Sequence, residues 1–178
     1  MATSSSNKMP LLVDRPLHSF ATLGGAAALT ASGNLNTPSP AGCVLLVDCS
    51  SNDGAVIDSL SIIANEASTT ASNVLVFLST ATTATSITTA NTAYVAGGAI
   101  ASSSKGTRTN IALPALSVPV PNLASPAATM AAYPTETDKK NTGIYVPSGA
   151  LIYVGVDAVL TNPSANTRIH LFAQGGFF

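Results

Sequence analysis

Residues 42–64, GCVLLVDCSSNDGAVIDSLSIIA, decide the fold class, because two short apolar runs flank a turn sequence. The runs at 42–48 and 55–64 have the length and the branched side chains of β-strands. Asp53-Gly54 lies between them, and this dipeptide favours a hairpin because glycine adopts positive φ without strain and aspartate bonds its own backbone. The sequence therefore predicts two strands that pair with each other in antiparallel orientation.

The same alternation of short apolar runs and turn residues continues along the chain. No segment has the length and periodicity of an amphipathic helix, and Pro-rich connections such as 113–126 suit crossovers between sheets better than hairpins. We therefore predict an all-β fold, an antiparallel β-sandwich of the jelly-roll kind. The predicted strands are 26–32, 42–48, 55–64, 73–79, 93–101, 108–113, 143–146, 150–158 and 167–174.

Two connecting stretches have biased compositions. Residues 79–92, STATTATSITTANT, consist almost wholly of Ser, Thr and Ala, which predicts an exposed strand or a long loop. Residues 122–142 contain a run of charged side chains and predict a solvated loop. Pro126 and Pro134 confine any helix in that loop to about one turn.

The chain is poor in charge. Its 178 residues include seven basic and eight acidic side chains, 8% of the total, against about 25% in an average soluble domain. The formal net charge of −1 gives no electrostatic signature of nucleic-acid binding, so we predict no nucleic-acid partner. No apolar run approaches the roughly 18 residues of a membrane span, so we predict no membrane partner.

Composition also bears on assembly and on the site of synthesis. With 46% apolar residues and few charges, the chain is expected to expose apolar patches as a monomer, and such patches usually mark interfaces. Closed cyclic assembly would bury them, so we predict a stable homo-oligomer. The N-terminus lacks the pattern of a secretory signal and no asparagine lies in an Asn-x-Ser/Thr sequon, which fits synthesis in a cytosol.

The first 20 residues differ from the rest, because Pro10 and Pro16 interrupt their apolar side chains. Such proline spacing disfavours both a helix and a central strand. We predict an extended arm over residues 1–20, dispensable for folding, ahead of a sandwich domain over 21–178; a frayed tail is the alternative. The arm residues expected to bind a partner surface are Leu11, Leu12, Val13, Arg15, Leu17 and Phe20.

The sequence carries no motif for catalysis. His18 lies in the proline-interrupted segment, which is a poor place to hold catalytic geometry. His170 shares one face of its predicted strand with Arg168, Phe172 and Gln174, a polar face that suits solvent or a neighbouring subunit. No G-x-S-x-G motif is present, and the stretch 48–59 fails the EF-hand pattern. We predict no enzymatic activity, no cofactor and no metal.

The two cysteines bracket a predicted strand. Six residues of extended chain would place Cys43 and Cys49 roughly 20 Å apart, whereas a disulfide needs Cα atoms within about 7 Å. Neither a C-x-x-C motif nor a nearby histidine supports a zinc site. We therefore predict two buried free thiols.

The C-terminal third, residues 143–178, reads GIYVPSGALIYVGVDAVLTNPSANTRIHLFAQGGFF. Two apolar strands surround a Pro-Ser-Gly turn, and the chain ends in Gly-Gly-Phe-Phe. Together with the Ala/Ser/Thr-rich, Trp-free and charge-poor body, this pattern resembles the small jelly-roll cement (decoration) proteins of tailed-phage capsids. The resemblance covers residues 24–178 in composition and general pattern, and no diagnostic motif accompanies it.

The resemblance implies a function, a location and partners. Proteins of that family are typically trimers that sit where capsomers meet and hold the shell against the pressure of the packaged DNA. It implies that this chain is a homotrimer, made in the host cytoplasm and placed on the capsid surface of the virion. Its partners would be itself and the major capsid protein, which the arm over residues 1–20 would contact.

Four C-terminal side chains are expected to pack in the core or at the subunit interface: Ile169, Leu171, Phe177 and Phe178. Two other functions stay open. A receptor-binding or fibre-tip domain of a virion would be favoured by an N-terminal coiled coil or repeat. A carbohydrate-binding or enzymatic β-sandwich module would be favoured by clustered aromatic side chains or a cluster of histidines and acids.

Overall fold

The computed structural model describes residues 14–24, 43–64, 72–100, 105–113, 143–156 and 168–178. Within these ranges the chain forms nine strands and one short 3-10 helix, Ala84–Ser86. The strands are β1 (Arg15–Gly24), β2 (Val44–Asp48), β3 (Gly54–Ala64), β4 (Ser72–Ser79), β5 (Thr92–Ile100), β6 (Arg108–Ile111), β7 (Ile144–Pro147), β8 (Leu151–Val156) and β9 (Arg168–Phe177).

The strands form two antiparallel sheets. The terminal sheet, which contains the first and last of these strands, has the order β1-β9-β3, with β6 and β7 both paired to the far side of β3. The second sheet has the order β2-β8-β4-β5. The all-β antiparallel sandwich predicted from the sequence is confirmed.

The strand pairs are nested, as in a long antiparallel ribbon folded in half. β1 pairs with β9, β2 with β8, β3 with β7, and β4 with β5. The further pairs β3 with β9 and β4 with β8 join successive parts of the ribbon into the two sheets. This nested order gives the sandwich a jelly-roll arrangement and makes β1 and β9 neighbours although they lie far apart in sequence.

The core lies between the sheets, because each strand turns alternate side chains towards the opposite sheet. A fully buried Leu or Ile stabilises the fold by about 1.5–3 kcal/mol relative to an exposed one. The terminal sheet supplies Leu17, Ile57, Leu60, Ile62, Ile169 and Leu171, and the second sheet supplies Val47, Val74, Val76, Ile152 and Val154.

A second apolar cluster covers the outer face of the second sheet. Phe77, Leu151 and Tyr153 on the strands pack against Ala81 and Ile87 in the connection between β4 and β5. The Tyr153 hydroxyl donates a hydrogen bond to the Ala81 carbonyl oxygen at 3.0 Å. This connection explains why all six residues of β8 are buried, on both faces of the sheet.

The predicted hairpin between residues 42–48 and 55–64 is wrong. Both strands exist, but β2 pairs with β8 in the second sheet while β3 belongs to the terminal sheet. The turn around Asp53-Gly54 therefore carries the chain from one sheet to the other. The turn residues specify only that the chain reverses direction. Which strand pairs with β2 depends on contacts with distant parts of the chain.

The connection from β2 to β3 lies beside the one from β7 to β8, which also crosses between the sheets. The Cys49 amide donates to the Ala150 carbonyl at 3.0 Å, and the Gly149 amide donates to the Cys49 carbonyl at 3.0 Å. The Ser148 hydroxyl donates to the Asn52 carbonyl at 2.8 Å. These bonds continue the β2 and β8 ladder around the end of the sandwich.

The extended arm predicted over residues 1–20 is wrong for residues 15–20, which form the first part of β1. This strand pairs with β9 along its whole length, from Arg15 opposite Phe177 to Gly24 opposite Arg168. Pro16 is compatible with this pairing because β1 is an edge strand of the terminal sheet. The domain boundary predicted at residue 20 therefore falls within a strand.

Several smaller predictions are also tested. Residues 80–91 form a loop, as predicted for 79–92, although Ser79 and Thr92 at its ends belong to strands. Cys43 and Cys49 are free and buried, which confirms that prediction. The predicted strand 26–32 and the loop 122–142 lie outside the described residues.

Candidate interaction surface

The outer face of the terminal sheet carries an aromatic patch, which we define as His18, Phe20, His170 and Phe172. The first two residues lie on β1 and the other two on the adjacent strand β9. Phe20 is directly opposite Phe172, while His18 faces Gln174 in the same register. The alternation of a strand brings these side chains to the face that points away from the core.

The rings of the patch contact one another. The Phe20 and Phe172 ring centroids are 5.9 Å apart with planes 33° apart, and the His170 ring meets Phe20 edge-on at 6.3 Å. The His18 ring lies 6.4 Å from that of Phe172. These separations are in the range of favourable aromatic pairs. Phe20 is nonetheless 63% exposed, so the cluster leaves an apolar side chain open to solvent.

The side chains around the patch are mostly neutral. Thr22 Oγ1 and His170 Nδ1 are 3.1 Å apart and share a hydrogen bond. The Ser59 hydroxyl donates to Gln174 Oε1 at 3.3 Å. Among the described residues of this face, the charged residues Asp58 and Arg108 belong to the far strands β3 and β6, and Arg168 begins β9 two residues before His170. The aromatic patch therefore occupies the β1 margin of the face, with one charged residue on its own strand β9.

Sequence reasoning identified half of this surface. The prediction that His170, Phe172 and Gln174 share one face of a terminal strand is confirmed, since Ile169 and Leu171 on the other face have no exposed surface. The expectation that His18 lies outside regular structure is wrong, because β1 holds it in the sheet. The four residues of the patch were not predicted to meet, because about 150 residues of chain separate the two strands.

The predicted arm residues fall into different environments. Leu17 is only 2% exposed and packs in the core. Arg15 is exposed, with its guanidinium 4.7 Å from the centre of the Phe177 ring, and it donates a hydrogen bond to Asn52 Oδ1. Phe20 belongs to the aromatic patch. Leu11, Leu12 and Val13 lie outside the described residues.

The four C-terminal residues are also separated by the structure. Ile169 and Leu171 lie in the core with no exposed surface. Phe177 is half-buried and packs against the core cluster. Phe178 is half-buried too, and its ring lies 6.2 Å from that of Tyr145 on β7.

Three ionisable groups near the turns have pKa values that differ from their ordinary ones. Burial raises the pKa of the Cys43 thiol to about 11. Burial, assisted by the charge of Asp48, raises the pKa of Cys49 to about 11 as well. Hydrogen bonds from the Ser50 side chain and amide lower the pKa of Asp48. The two thiols are therefore protonated at neutral pH and are poor nucleophiles.

Two searches of the described residues returned nothing. No group of three or more His, Cys, Asp and Glu side chains in these ranges is arranged to hold a metal ion. In the same part of the chain, no helix has the length and apolar character needed to cross a membrane.

Comparisons with protein-family models, with curated proteins and with solved structures find no match to this chain.

Proposed function

We propose that this chain is a virion structural protein, a capsid cement (decoration) protein that binds the outer surface of the major capsid protein shell as a homotrimer. In this role it stabilises the shell. The observation that carries the proposal is a jelly-roll sandwich whose terminal sheet exposes an aromatic patch with mostly neutral neighbours. Exposed apolar patches of this kind usually mark protein interfaces.

The scarcity of charge supports the same function. A cement protein is present in many copies on one shell, and neighbouring copies repel each other less when each has a small net charge. The chain has a formal net charge of −1 from only 15 charged side chains, seven basic and eight acidic. The described loop 80–91 is solvated largely by serine and threonine, which suits broad neutral contacts.

The proposal assigns a place and partners to the chain. It is made in the host cytoplasm and acts on the capsid surface, where its partners are further copies of itself and the major capsid protein. The residues that precede β1, among them Leu11, Leu12 and Val13, contact the capsid in this proposal. Leu17 takes no part, because it packs in the core. No reaction and no cofactor are involved.

A carbohydrate-binding module is the second candidate, and the aromatic patch is the specific observation in its favour. Sugar rings stack on exposed aromatic faces, and neutral polar side chains fix their orientation. Phe20 and Phe172 supply adjacent rings, and Gln174 supplies an exposed amide. The cement function has the broader support, because it also accounts for the low charge of the whole chain.

Co-sedimentation with capsids tests the proposal. Purified protein is mixed with undecorated capsids at increasing ratios, and the pellet is quantified. We expect binding that saturates at a fixed number of copies per capsid, since a shell offers a fixed number of equivalent sites. A pellet without the protein at any ratio would contradict the cement function.

The same protein applied to an array of neutral oligosaccharides separates the two candidates. Binding to the array without binding to capsids would favour the carbohydrate-binding module. Phe20→Thr serves as the variant in that arm, because threonine keeps the strand but removes the exposed ring. Saturating capsid binding together with a silent array is the result that the cement function predicts.

A further inference from the structure

We infer that Asp53 and Gly54 form a site of spontaneous backbone modification, at which the aspartyl linkage converts to an isoaspartyl linkage. The reactants are these two residues and water, and the reaction needs no enzyme. The site lies in the connection from β2 to β3, to which the proposed function gives no role. The inference therefore stands or falls independently of that function.

The residue pair is unique in the sequence. Among all the aspartates of the chain, Asp53 alone is followed by glycine, and no asparagine is followed by glycine either. A following glycine favours attack on the aspartyl carboxyl group, because glycine has no Cβ atom to obstruct the approach to its backbone nitrogen. The sequence therefore directs this chemistry to one peptide bond.

The carboxyl group of Asp53 is free to approach that nitrogen. The residue is exposed, and within the described ranges no hydrogen bond or ion pair holds its carboxylate. Asp48, at the other end of the same connection, differs in this respect, since its carboxylate accepts a hydrogen bond from the Ser50 amide at 2.8 Å. Asp48 would have to give up that bond before its carboxyl group could turn towards the next residue.

The fold itself requires the glycine. Gly54 has a φ of +131°, which other residues rarely adopt. A Cβ atom at this position would also lie only 2.8 Å from the Val146 carbonyl oxygen. Among the described contacts, by contrast, none requires an aspartate at position 53. The reactive pair is therefore fixed on the glycine side by the backbone and is unrestrained on the carboxyl side.

The step balances without an oxidant or a reductant. The Gly54 nitrogen attacks the Asp53 Cγ atom, and a C–N bond forms while the proton of that nitrogen and the carboxyl hydroxyl leave as water. Water then opens the resulting five-membered succinimide ring. Cleavage between the nitrogen and the Asp53 main-chain carbonyl carbon gives the isoaspartyl linkage, and cleavage between the nitrogen and Cγ restores aspartate. The isoaspartyl chain has the same mass as the original chain.

The modification would loosen the connection between the sheets. An isoaspartyl linkage inserts one methylene group into the main chain at position 53. The carbonyls on both sides are anchored: Asn52 accepts a hydrogen bond from the Ser148 hydroxyl at 2.8 Å, and Gly54 accepts one from the Phe178 amide at 3.0 Å. A longer main chain cannot keep both anchors in place, so we expect the modified protein to be less stable than the original.

The first test locates the modification. The folded protein is incubated under reducing conditions at physiological temperature until a synthetic peptide of residues 48–58 in the same buffer has isomerised by half. Proteolytic peptides are then sequenced by electron-transfer fragmentation, which distinguishes isoaspartate from aspartate. We expect several-fold more isoaspartate at Asp53 than at Asp48 or Asp58, which are also exposed. No isoaspartate at Asp53 in the folded chain, or no more than at the other two positions, would overturn the inference.

The second test measures the consequence and uses Asp53→Glu as the matched control. Glutamate keeps the negative charge, but the corresponding six-membered ring closes far more slowly. After the same incubation, the wild-type chain should melt at a lower temperature than fresh protein, whereas Asp53→Glu should melt at the same temperature before and after. Equal losses in the two proteins, or no loss in a wild-type chain that has isomerised at Asp53, would overturn the inferred loosening of the connection.

Discussion

Gly175 lies where β9 passes closest to the backbone of β3. A Cβ atom at this position would overlap the Val56 carbonyl oxygen and would lie 3.0 Å from the Ile57 Cα atom. The register between the strands shifts between Ile57 and Ser59, so the glycine sits beside a β-bulge that depends on this close approach. The backbone of a central strand has little freedom to move away.

Replacing this glycine should therefore weaken the fold. We expect Gly175→Ala to lower the free energy of unfolding by about 1–3 kcal/mol, the usual cost of extra volume in a packed site. Thermal unfolding followed by circular dichroism measures the change. Gly98→Ala is the control, because its nearest neighbour would be the Ile111 Cγ1 atom at 3.3 Å, part of a side chain that can shift. Equal melting temperatures for the two variants would contradict the predicted overlap.

The two buried thiols should make the folded state less stable at alkaline pH. Each pKa rises from an ordinary value of 9.0 to about 11 in the folded chain, first of all because burial disfavours the thiolate. A group whose folded pKa is raised contributes stability that is fully present below its unfolded pKa and is lost as the pH rises through the folded value. The window for both cysteines is therefore pH 9 to about 11.

We expect the melting temperature to fall between pH 9 and 11, and to fall less in the double variant Cys43→Ala/Cys49→Ala. Comparing how steeply the melting temperature falls with pH in the two proteins isolates the contribution of the thiols, because every other side chain is the same in both proteins. Alkylation at pH 8 provides a second reading, since the native thiols should react only after unfolding in guanidinium. Parallel pH profiles for the two proteins would contradict the assigned burial.

At the scale of elements, β1 is part of the folded sandwich, whereas the residues before it are proposed to bind the capsid. Deleting residues 1–20 removes Leu17 from the core and more than half of the β1–β9 ladder. The loss of one buried leucine alone costs about 2–5 kcal/mol, so this truncation should lower the melting temperature strongly or prevent folding. Deleting residues 1–13 leaves β1 complete and should leave the melting temperature nearly unchanged.

The shorter truncation also tests the proposed role of the residues before β1. Capsid attachment should weaken sharply when residues 1–13 are removed, because in the proposed homotrimer three such segments would act together. The measurement is co-sedimentation of the truncated protein with undecorated capsids. Undiminished attachment would place the binding surface on the sandwich itself.

The C-terminal end of β9 is a second element whose contribution can be measured. Residues 175–178 carry Phe177, which packs against the core, and Phe178, whose amide donates to the Gly54 carbonyl at 3.0 Å. Deleting these four residues removes both rings, and we expect a loss of about 3 kcal/mol or more. Since 1 kcal/mol corresponds to roughly 2–4 °C in a chain of this size, the melting temperature should fall by about 6–12 °C. Deletion of Phe178 alone should have a smaller effect, and an unchanged melting curve for the longer deletion would refute the assignment.

Strands were easier to predict than their partners. Eight of the nine strands that the described residues form were predicted from short apolar runs between turn residues, because alternation and turn chemistry are local properties of the chain. The hairpin of residues 42–64 was wrong because pairing is decided by nested contacts between distant strands. β1 was missed because Pro16 argues against a central strand, and nothing local distinguishes an edge strand from an extended arm.

The aromatic patch illustrates the same limit. Each of its two strands contributes one histidine and one phenylalanine in alternation, and alternation alone predicts only that each pair shares a face. That the two faces coincide depends on the register of β1 against β9, which places Phe20 opposite Phe172. Register of this kind follows from the burial of Leu17, Ile169 and Leu171 on the opposite face, and so from the complete fold.

At the scale of the whole molecule, the fold and the low charge of the chain support the same proposed function. Among the described residues, the nested ribbon places the first and last strands side by side at one margin of the sandwich, and three of the four exposed large apolar side chains lie on the edge strands β1 and β2. In the proposed function, the small net charge would let many copies lie close together. Both properties suit a protein that works by covering and joining larger assemblies, which is the central claim of the proposed function.

The thermal disruption of capsids tests this claim most directly. Undecorated capsids are heated with saturating protein and without it, and a dye that reports exposed DNA or protein marks the midpoint. A protein that binds only the intact shell raises the midpoint in a concentration-dependent way, so we expect a higher midpoint that levels off once all sites are filled. The same midpoint with and without saturating protein would contradict the claim.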